Sequence, residues 1–390
     1  MTRRFVDTAV IGLGGMGSAA LYHLSRRGIP TLGIDQFSPP HSLGSSHGAT
    51  RIIRLAYYED PSYVPLLRRA YELWRELEEQ TGHDLLRITG SLDVSTMDGG
   101  IFPRSLASCE LHALPHEVLT SADLPRRFPG YRFPDGYLAL HQPDGGILDP
   151  ERCVGAHLEA AIRAGATTHL DERVVAVEPG ADTTLIRTTT SEYVAERVVL
   201  AAGSWTGELV PRLRPLAVPE RQVVGWFEPT DATIFAPERF PVFNAQVDEG
   251  HYYGFPFDAS GGVKVGRYHH LDERVDPSTY DRDIHSRDEA VLREFVARYV
   301  PAAAGRMVRA ETCLFTNSPD EHFIIDQLSE TPPMVVAAGF SGHGFKFCSV
   351  VGEILADLLL EGRTRHEVGL LRLSRFGPAA EPTNAPRTDL

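Results

Sequence analysis

Lysine is almost missing from this chain: of 38 basic residues only Lys264 and Lys346 are lysine. Everywhere else the planar, permanently charged guanidinium has taken the place of the compact ammonium, so the two survivors mark places where the substitution is not equivalent. Both stand among glycines and aromatics, in GGVKVGRYHH and GFSGHGFKFCS, where backbone comes close to something. They read as parts of an active site; the plainer alternative is two surface residues left by an arginine-rich coding bias. Cysteine is also sparse. Cys109, Cys153, Cys313 and Cys348 stand far apart with no CxxC pair, which argues against a disulfide framework and against a zinc site built from cysteine pairs. The histidines show no HExxH spacing, so no metal is expected. No apolar run approaches the length that spans a bilayer, and 52 acidic residues against 38 basic ones leave a net charge of -14, which opposes binding to nucleic acid or an anionic membrane. A cytoplasmic protein without a targeting segment is expected.

What the chain does have is a dinucleotide fingerprint at its start. VDTAVI, residues 6–11, reads as a buried strand, followed by Gly12, Gly14 and Gly17, an apolar helix to about Arg27, and a second strand, PTLGID, ending in Asp35. Glycines at this spacing allow a tight turn and bring a pyrophosphate against a helix N-terminus, while the acid stands where a ribose hydroxyl is held. Leu21 occupies a position where such helices often carry a small residue, and Ala19 and Ala20 are expected to supply the close packing instead. A second small-residue turn, Ala201 to Ser204 with Gly203 at its centre, follows another apolar strand and offers a further backbone contact to the dinucleotide.

With 390 residues and 42% hydrophobic content, the chain has room for two domains. The expected fold class is α/β of the α+β kind: a Rossmann-like dinucleotide-binding domain written in three pieces, 1–85, 145–215 and 320–376, with a β-rich substrate-binding domain inserted as 86–144 and 216–319, and a flexible tail at 377–390.

Beyond the fingerprint, the stretches PPHSLGSSHGATRIIRLAY, RQVVGWFE, HYYGFP, GGVKVG, CLFTNSPDEHFIID and AAGFSGHGFKF follow one another up to about residue 360. In these the chain resembles the monomeric sarcosine oxidase and N-methyltryptophan oxidase family, FAD enzymes of the D-amino-acid-oxidase-like fold that oxidise secondary amines. The resemblance implies FAD, covalently attached through Cys313, with Cys348 as the rival thiol. It implies that Arg54 and Lys346 hold the substrate carboxylate, that Arg51 lies against the flavin ring, and that Lys264 activates oxygen. His47 is placed beside the ring in a loop that contains Ser45 and is ordered by Thr50; Ala49 replaces an aspartate common in relatives. Tyr253 and Phe315 match the aromatic wall over the substrate, Phe315 where sarcosine oxidases have tyrosine. Gly342, Gly344 and Phe345 form the loop into the last helix, facing the flavin. Relatives have a histidine four residues after the lysine, whereas this chain has Tyr268 there; a one-residue insertion assigns the role to His269, with His270 as alternate.

The implied reaction is that of sarcosine with O2 and water to glycine, formaldehyde and H2O2, by a monomer, with N-methyl-L-tryptophan as the alternative substrate. Two readings from other classes remain beside it: an NAD-dependent dehydrogenase on the same βαβ unit, and a flavin-binding regulatory protein without turnover.

Overall fold

The computed structural model describes residues 3–258 and 261–377; the tail from 378 onward lies outside the described residues. Strand Arg3–Ile11 emerges from an exposed start into full burial. It pairs in parallel with Thr31–Ile34 on one side and Glu192–Leu200 on the other, as expected of apolar strands covered on both faces. Thr167–His169 extends the sheet beyond Thr31–Ile34. The first half of Glu192–Leu200 pairs antiparallel with Thr184–Thr188, which Val174–Pro179 continues, and its last residues pair in parallel with Pro333–Ala338, which Ile324–Glu330 continues. Eight strands in all form this sheet among the described residues.

Helix Gly15–Ser25 is apolar almost all round and correspondingly buried, against helices Pro150–Arg163 and Cys348–Glu361. Its close packing has a different source from the alanines alone. Gly33 on the second strand makes room for Leu21, whose Cδ2 would lie 3.2 Å from a Cβ there, while Ala19 meets Gly352 of the last helix.

The second sheet has nine strands among the described residues. Its centre is the antiparallel set Val218–Phe227, Val263–Arg267, Gly250–Phe255 and Val242–Val247, with Met307–Asn317 on the far side of Val218–Phe227. Ser91–Thr96 joins Val242–Val247 in parallel, and Tyr137–Gln142 and Glu117–Thr120 follow. Two helices, Ile101–His112 and Ser286–Tyr299, run through stretches whose turns and strand formers had suggested sheet alone. Leu292, Phe295, Val296 and Tyr299 recur at helical spacing and bury against Phe227, Phe243 and Tyr252 of the sheet.

A small three-stranded sheet, Arg51–Ile53, Gly146–Leu148 and Leu86–Ile88, carries Arg51. Among the described residues no helix is long and apolar enough to cross a membrane.

Candidate active site

At the end of the first strand the chain turns through Gly12, with φ 86°. A Cβ there would lie 2.4 Å from the Ala201 carbonyl oxygen, and one on Gly17 only 1.7 Å from the Gly12 oxygen, so helix and strand can meet this closely only through glycine. Helix Gly15–Ser25 starts with no side-chain cap and no acid in its first turn. Its amide N–H groups and positive dipole end therefore suit an anion. A cleft of about 190 Å³ opens there, lined by Gly12, Gly14, Asp35, Ser45, Gly203, Gly342, Gly344 and Phe345. Asp35 accepts the Leu13 N–H at 2.6 Å and the Phe37 N–H at 2.8 Å, which fixes its carboxylate at the cleft. Burial raises its pKa, against those two bonds. An uncapped helix end, glycines with no space for a Cβ, and an acid one strand away fit a dinucleotide pyrophosphate and ribose.

Next to the cleft, and sharing Arg51, Phe315, Gly342 and Phe345 with it, is a cavity of about 50 Å³. Arg51, Arg54 and Lys346 contribute cations to its lining; Tyr253, Phe255, Tyr268 and Phe315 contribute rings; Cys313 and His47 complete the set. Tyr268 is stacked on His251 at 4.2 Å between centroids and meets Tyr253 at 5.2 Å and Phe315 at 5.6 Å. Gly342, with φ 79°, is pressed against Phe315: a Cβ would stand 2.3 Å from the ring. The loop thus brings backbone to the cavity wall.

Arg54 is buried and already engaged. Its Nη2 donates to both oxygens of Glu59, at 2.9 and 2.7 Å, and Asp93 lies 3.9 Å from Nη1. Tyr57 and Tyr58 present their rings to the guanidinium at 4.4 and 4.1 Å. Burial would raise the pKa of Glu59, but Arg54, with His343 and Lys346, holds it at about 2, an ionised carboxylate. His343 has its basicity pushed down to about 4 by burial. Its Nε2 donates to the Glu321 carbonyl at 2.9 Å, leaving Nδ1 to accept the Tyr57 hydroxyl proton at 2.6 Å.

Lys346 lies in the lining, donates to the His343 carbonyl at 2.7 Å, and has its pKa lowered to about 7 by burial and then by Arg54. Lys264 does not line the cavity. It sits one layer behind, where its Nζ donates to Gly48 O at 2.7 Å and to Thr50 O and Oγ1 at 3.1 Å each, between the rings of Phe255 at 4.6 Å and Trp226 at 5.2 Å. Burial, then Arg51, lowers its pKa to about 7 as well. Thr50 is thus the lysine's cradle rather than part of the cleft.

Cys313 faces the cavity, on the strand paired with Val218–Phe227, and burial raises its thiol pKa, opposed by Arg51 and Lys264. Cys348 lines the dinucleotide cleft instead, its sulfur packed by Gly15. Gly17 lines neither space; its part is to let the helix approach Gly12. His47 is buried in the cavity wall with no hydrogen-bond partner for either ring nitrogen, and Glu311 is 3.5 Å from Nδ1.

One expectation needs correction. His269 does not reach either space. It takes a left-handed turn conformation, φ 52°, after the Lys264 strand, and its ring bridges Glu220 at 2.9 Å and Glu321 at 3.0 Å, which raise its pKa to about 10. Its alternate, His270, is spoken for by Asp288 at 3.0 Å. Tyr268 takes the cavity position.

Glu59, Asp93, Tyr58, His251 and His343 were not anticipated. Tyr57 closes the stretch that contains Arg54, and Tyr58 and Glu59 directly follow it, a signal available in the sequence. Asp93 offered one too, as an acid inside the alternating strand Ser91–Thr96, stabilised by Ser105 at 2.6 Å and Asn244 at 2.9 Å.

Comparison with known proteins agrees with this geometry. Residues 7–358 match the family model described as FAD dependent oxidoreductase (DAO). The chain is 41% identical to the monomeric sarcosine oxidase of Bacillus sp. (strain NS-129), covering 95% of this chain and 96% of the relative. It is 34% identical to the N-methyl-L-tryptophan oxidase of Yersinia pestis (strain Pestoides F), covering 95% and 99%. Among solved structures it is similar to NikD, an unusual amino acid oxidase essential for nikkomycin biosynthesis, in an open form, with a TM-score of 0.83 and 27% identity over 95% of this chain and 97% of the other. L-proline dehydrogenase from P. horikoshii, at a TM-score of 0.83 and 22% identity over 96% and 98%, shares the fold.

Proposed function

This chain belongs to the FAD dependent oxidoreductase (DAO) family, and from that premise we propose that it is a flavin oxidase of small N-methyl amino acids, with sarcosine the first substrate. The observation that carries the reading is the cavity itself: cations and aromatic rings in one lining, beside the dinucleotide cleft. Its size favours a small ligand. At about 50 Å³ the cavity is much smaller than the cleft of about 190 Å³ beside it.

FAD, when bound, would supply the two-electron acceptor: the amine loses the hydrogens of its N-methyl C–H and N–H to become an imine, which water hydrolyses to glycine and formaldehyde, while O2 takes up the two electrons and two protons as H2O2. The cleft residues Gly12, Gly14, Ser45, Asp35 and Gly203 would hold its phosphates and ribose, and Cys313 is the thiol we assign to a covalent link. Cys348 lines the dinucleotide cleft and not the cavity, its sulfur beside Gly15, and is not assigned one.

Lys346 and Arg54 are placed to orient a carboxylate. Lys346 has one protein acceptor for three N–H bonds, so it can engage an anion without giving up existing partners. Arg54, held in place by Glu59, adds a fixed planar donor group to the same lining. Tyr253, Tyr268 and Phe315 exclude water around the N-methyl group. Lys264, held by three oxygens, supplies a positive charge behind Gly48, where reduction of O2 builds up negative charge. Tyr268 stacked on His251 replaces an imidazole at this wall by a phenol, and the wall therefore contributes shape in place of a titrating base.

The enzyme is proposed to act as a monomer in the cytoplasm. The test is direct. The purified protein should be yellow, keep its colour in the acid-precipitated pellet, lose that retention in Cys313→Ser but not in Cys348→Ser, and release H2O2 with sarcosine. Colour released by acid from the unaltered protein would remove the Cys313 link; peroxide with N-methyl-L-tryptophan and none with sarcosine would reverse the choice of substrate.

A further inference from the structure

Gly48 and Ala49 are two successive left-handed residues, with φ 93° and 68°. The second is not a glycine, and such a conformation costs about 1 kcal/mol or more unless its surroundings hold it. What holds it is a carboxylate. Glu151, the second residue of helix Pro150–Arg163, accepts the Gly48 N–H at 2.7 Å and the Ala49 N–H at 3.2 Å through one oxygen, Oε1. Consecutive N–H groups turned to one side in this way form a concave anion seat. The carbonyl of Gly48, and the carbonyl and hydroxyl of Thr50 just beyond, are the three acceptors of Lys264 Nζ. Helix, carboxylate, loop and lysine are therefore one connected chain of contacts.

The second oxygen of Glu151, Oε2, is buried and has no hydrogen-bond partner. A carboxylate left half-satisfied in a buried place is costly unless its charge is used. The other acid on this side, Glu311, is already engaged: Arg309 bonds its Oε1 and His47 lies 3.5 Å from its Oε2. The groups facing Lys264 are Arg51 from its own small sheet, Cys313 and Glu311 from Met307–Asn317, Asp258 from the loop after Gly250–Phe255, and Glu151 from the helix. Arg51 and burial both disfavour the ammonium, while Cys313, Glu151 and Asp258 favour it.

We propose that Glu151 is a positioning residue for the oxygen-side lysine: it seats the Gly48–Ala49 loop that cradles Lys264 and supplies the counter-charge that keeps the lysine protonated. It touches neither substrate nor flavin in this role. The inference rests on the assignment of Lys264 to the oxygen step, and it adds a reason why Ala49 can stand where relatives carry an acid: the charge reaches the loop from the helix.

Because the chain has only two lysines, the experiment has a readout independent of turnover. Holoenzyme labelled with [ε-13C]lysine gives two side-chain resonances, assigned by Lys346→Met, whose titration reports each ammonium. In Glu151→Gln the amide oxygen still accepts the two N–H groups and only the charge is lost. The Lys264 resonance should then titrate roughly one unit lower, as expected for loss of a nearby opposite charge, with Lys346 unmoved. Anaerobic reduction by sarcosine should stay unchanged, while reoxidation by O2 loses its alkaline limb at correspondingly lower pH and slows about tenfold there. Glu151→Ala, which also removes the seat, should slow reoxidation further at every pH. An unshifted Lys264 titration in Glu151→Gln overturns the proposal, including when reoxidation is slow, because slow turnover would then come from a displaced loop. If Lys264→Met itself reoxidises at the unaltered rate, the oxygen role of the lysine fails, and the NMR titration still decides whether Glu151 governs its charge.

Discussion

Lys264 and Lys346 share burial and a pKa near 7, yet their surroundings assign them opposite tasks. Lys264 has three oxygen acceptors for its three protons and two aromatic faces beside them; nothing is left over to grip a ligand. Lys346 has one backbone acceptor, stands in the cavity lining, and faces a guanidinium whose own charge is spoken for by Glu59. A saturated ammonium is a fixed charge, of use where a reaction creates negative charge without moving an atom into contact. An unsaturated one is a binding group. The same residue type, buried to the same degree, is made into either by counting its acceptors.

The largest effect should come from breaking the fixed charge. Lys264→Met is expected to leave anaerobic flavin reduction within a few-fold and to slow reoxidation by about 10²–10³-fold, the range seen when a charge-stabilising donor is removed. Stopped-flow measurement of the two half-reactions separates them; equal losses in both would place Lys264 on the substrate side and dissolve the contrast. Lys264→Arg should be no better, since the wider guanidinium does not fit between Phe255 and Trp226 with three oxygens at ammonium distance.

Breaking the binding group should cost less and fall elsewhere. Lys346→Met is expected to lower kcat/KM by roughly 10–100-fold, the worth of a hydrogen bond to a charged group, with most of the loss in KM and little in the oxygen reaction. Lys346→Arg should recover part of it, because a carboxylate accepts a planar fork as well as a point charge. Binding of a carboxylate needs the protonated amine, so affinity in the unaltered enzyme should fall as pH rises through about 7. A dissociation constant from anaerobic titration that is flat from pH 6 to 9 would detach Lys346 from the carboxylate.

Much of this contrast was legible before any fold was known, and the reason is specific. The two lysines stood out because nearly every other cation is arginine, and the glycine fingerprint reads directly because Gly12 and Gly17 have no space for a Cβ. The acids were harder to read. Glu59 stands only five residues from Arg54 and Asp93 interrupts a strand, so each left a trace in the sequence, but Glu151 looks like any of 52 carboxylates, and only long-range folding brings it to Gly48 and Asp93 to Arg54. The place of His269 was out of reach for a related reason: which side chain after Lys264 meets the cavity is decided by the pairing of Lys264 with Trp226 and Phe255, and that register presents Tyr268. Helix Ser286–Tyr299 did carry a readable pattern, but the turn-rich sequence around it obscured the period.

The smallest effect concerns stability, and its sign follows from the depressed lysines. Each has a folded-state pKa lowered to about 7 from the ordinary lysine value of 10.5. Between those values the unfolded chain binds the proton that the folded one has released, so the lysine's contribution makes stability rise with pH across that window and leaves it constant below. Other groups oppose this: His269, raised to about 10, loses stabilisation over the same range, and the buried thiols with raised pKa begin to do so as their unfolded forms ionise. The comparison must therefore be a difference. Urea unfolding of the unaltered protein and of Lys346→Met, at pH 7 and pH 8.5, should show the unaltered protein gaining about 1–2 kcal/mol relative to the variant, bounded by 1.4 kcal/mol per pH unit. Lys264→Met should show the same relative gain with pH but a larger loss of stability at both pH values, because its removal also leaves Gly48 O, Thr50 O and Thr50 Oγ1 without their donor. That penalty does not depend on pH in this range, so the two variants should differ in their offset and agree in their slope. Slopes that differ would mean that the two lysines are not equally depressed, and that acceptor number has altered basicity as well as task.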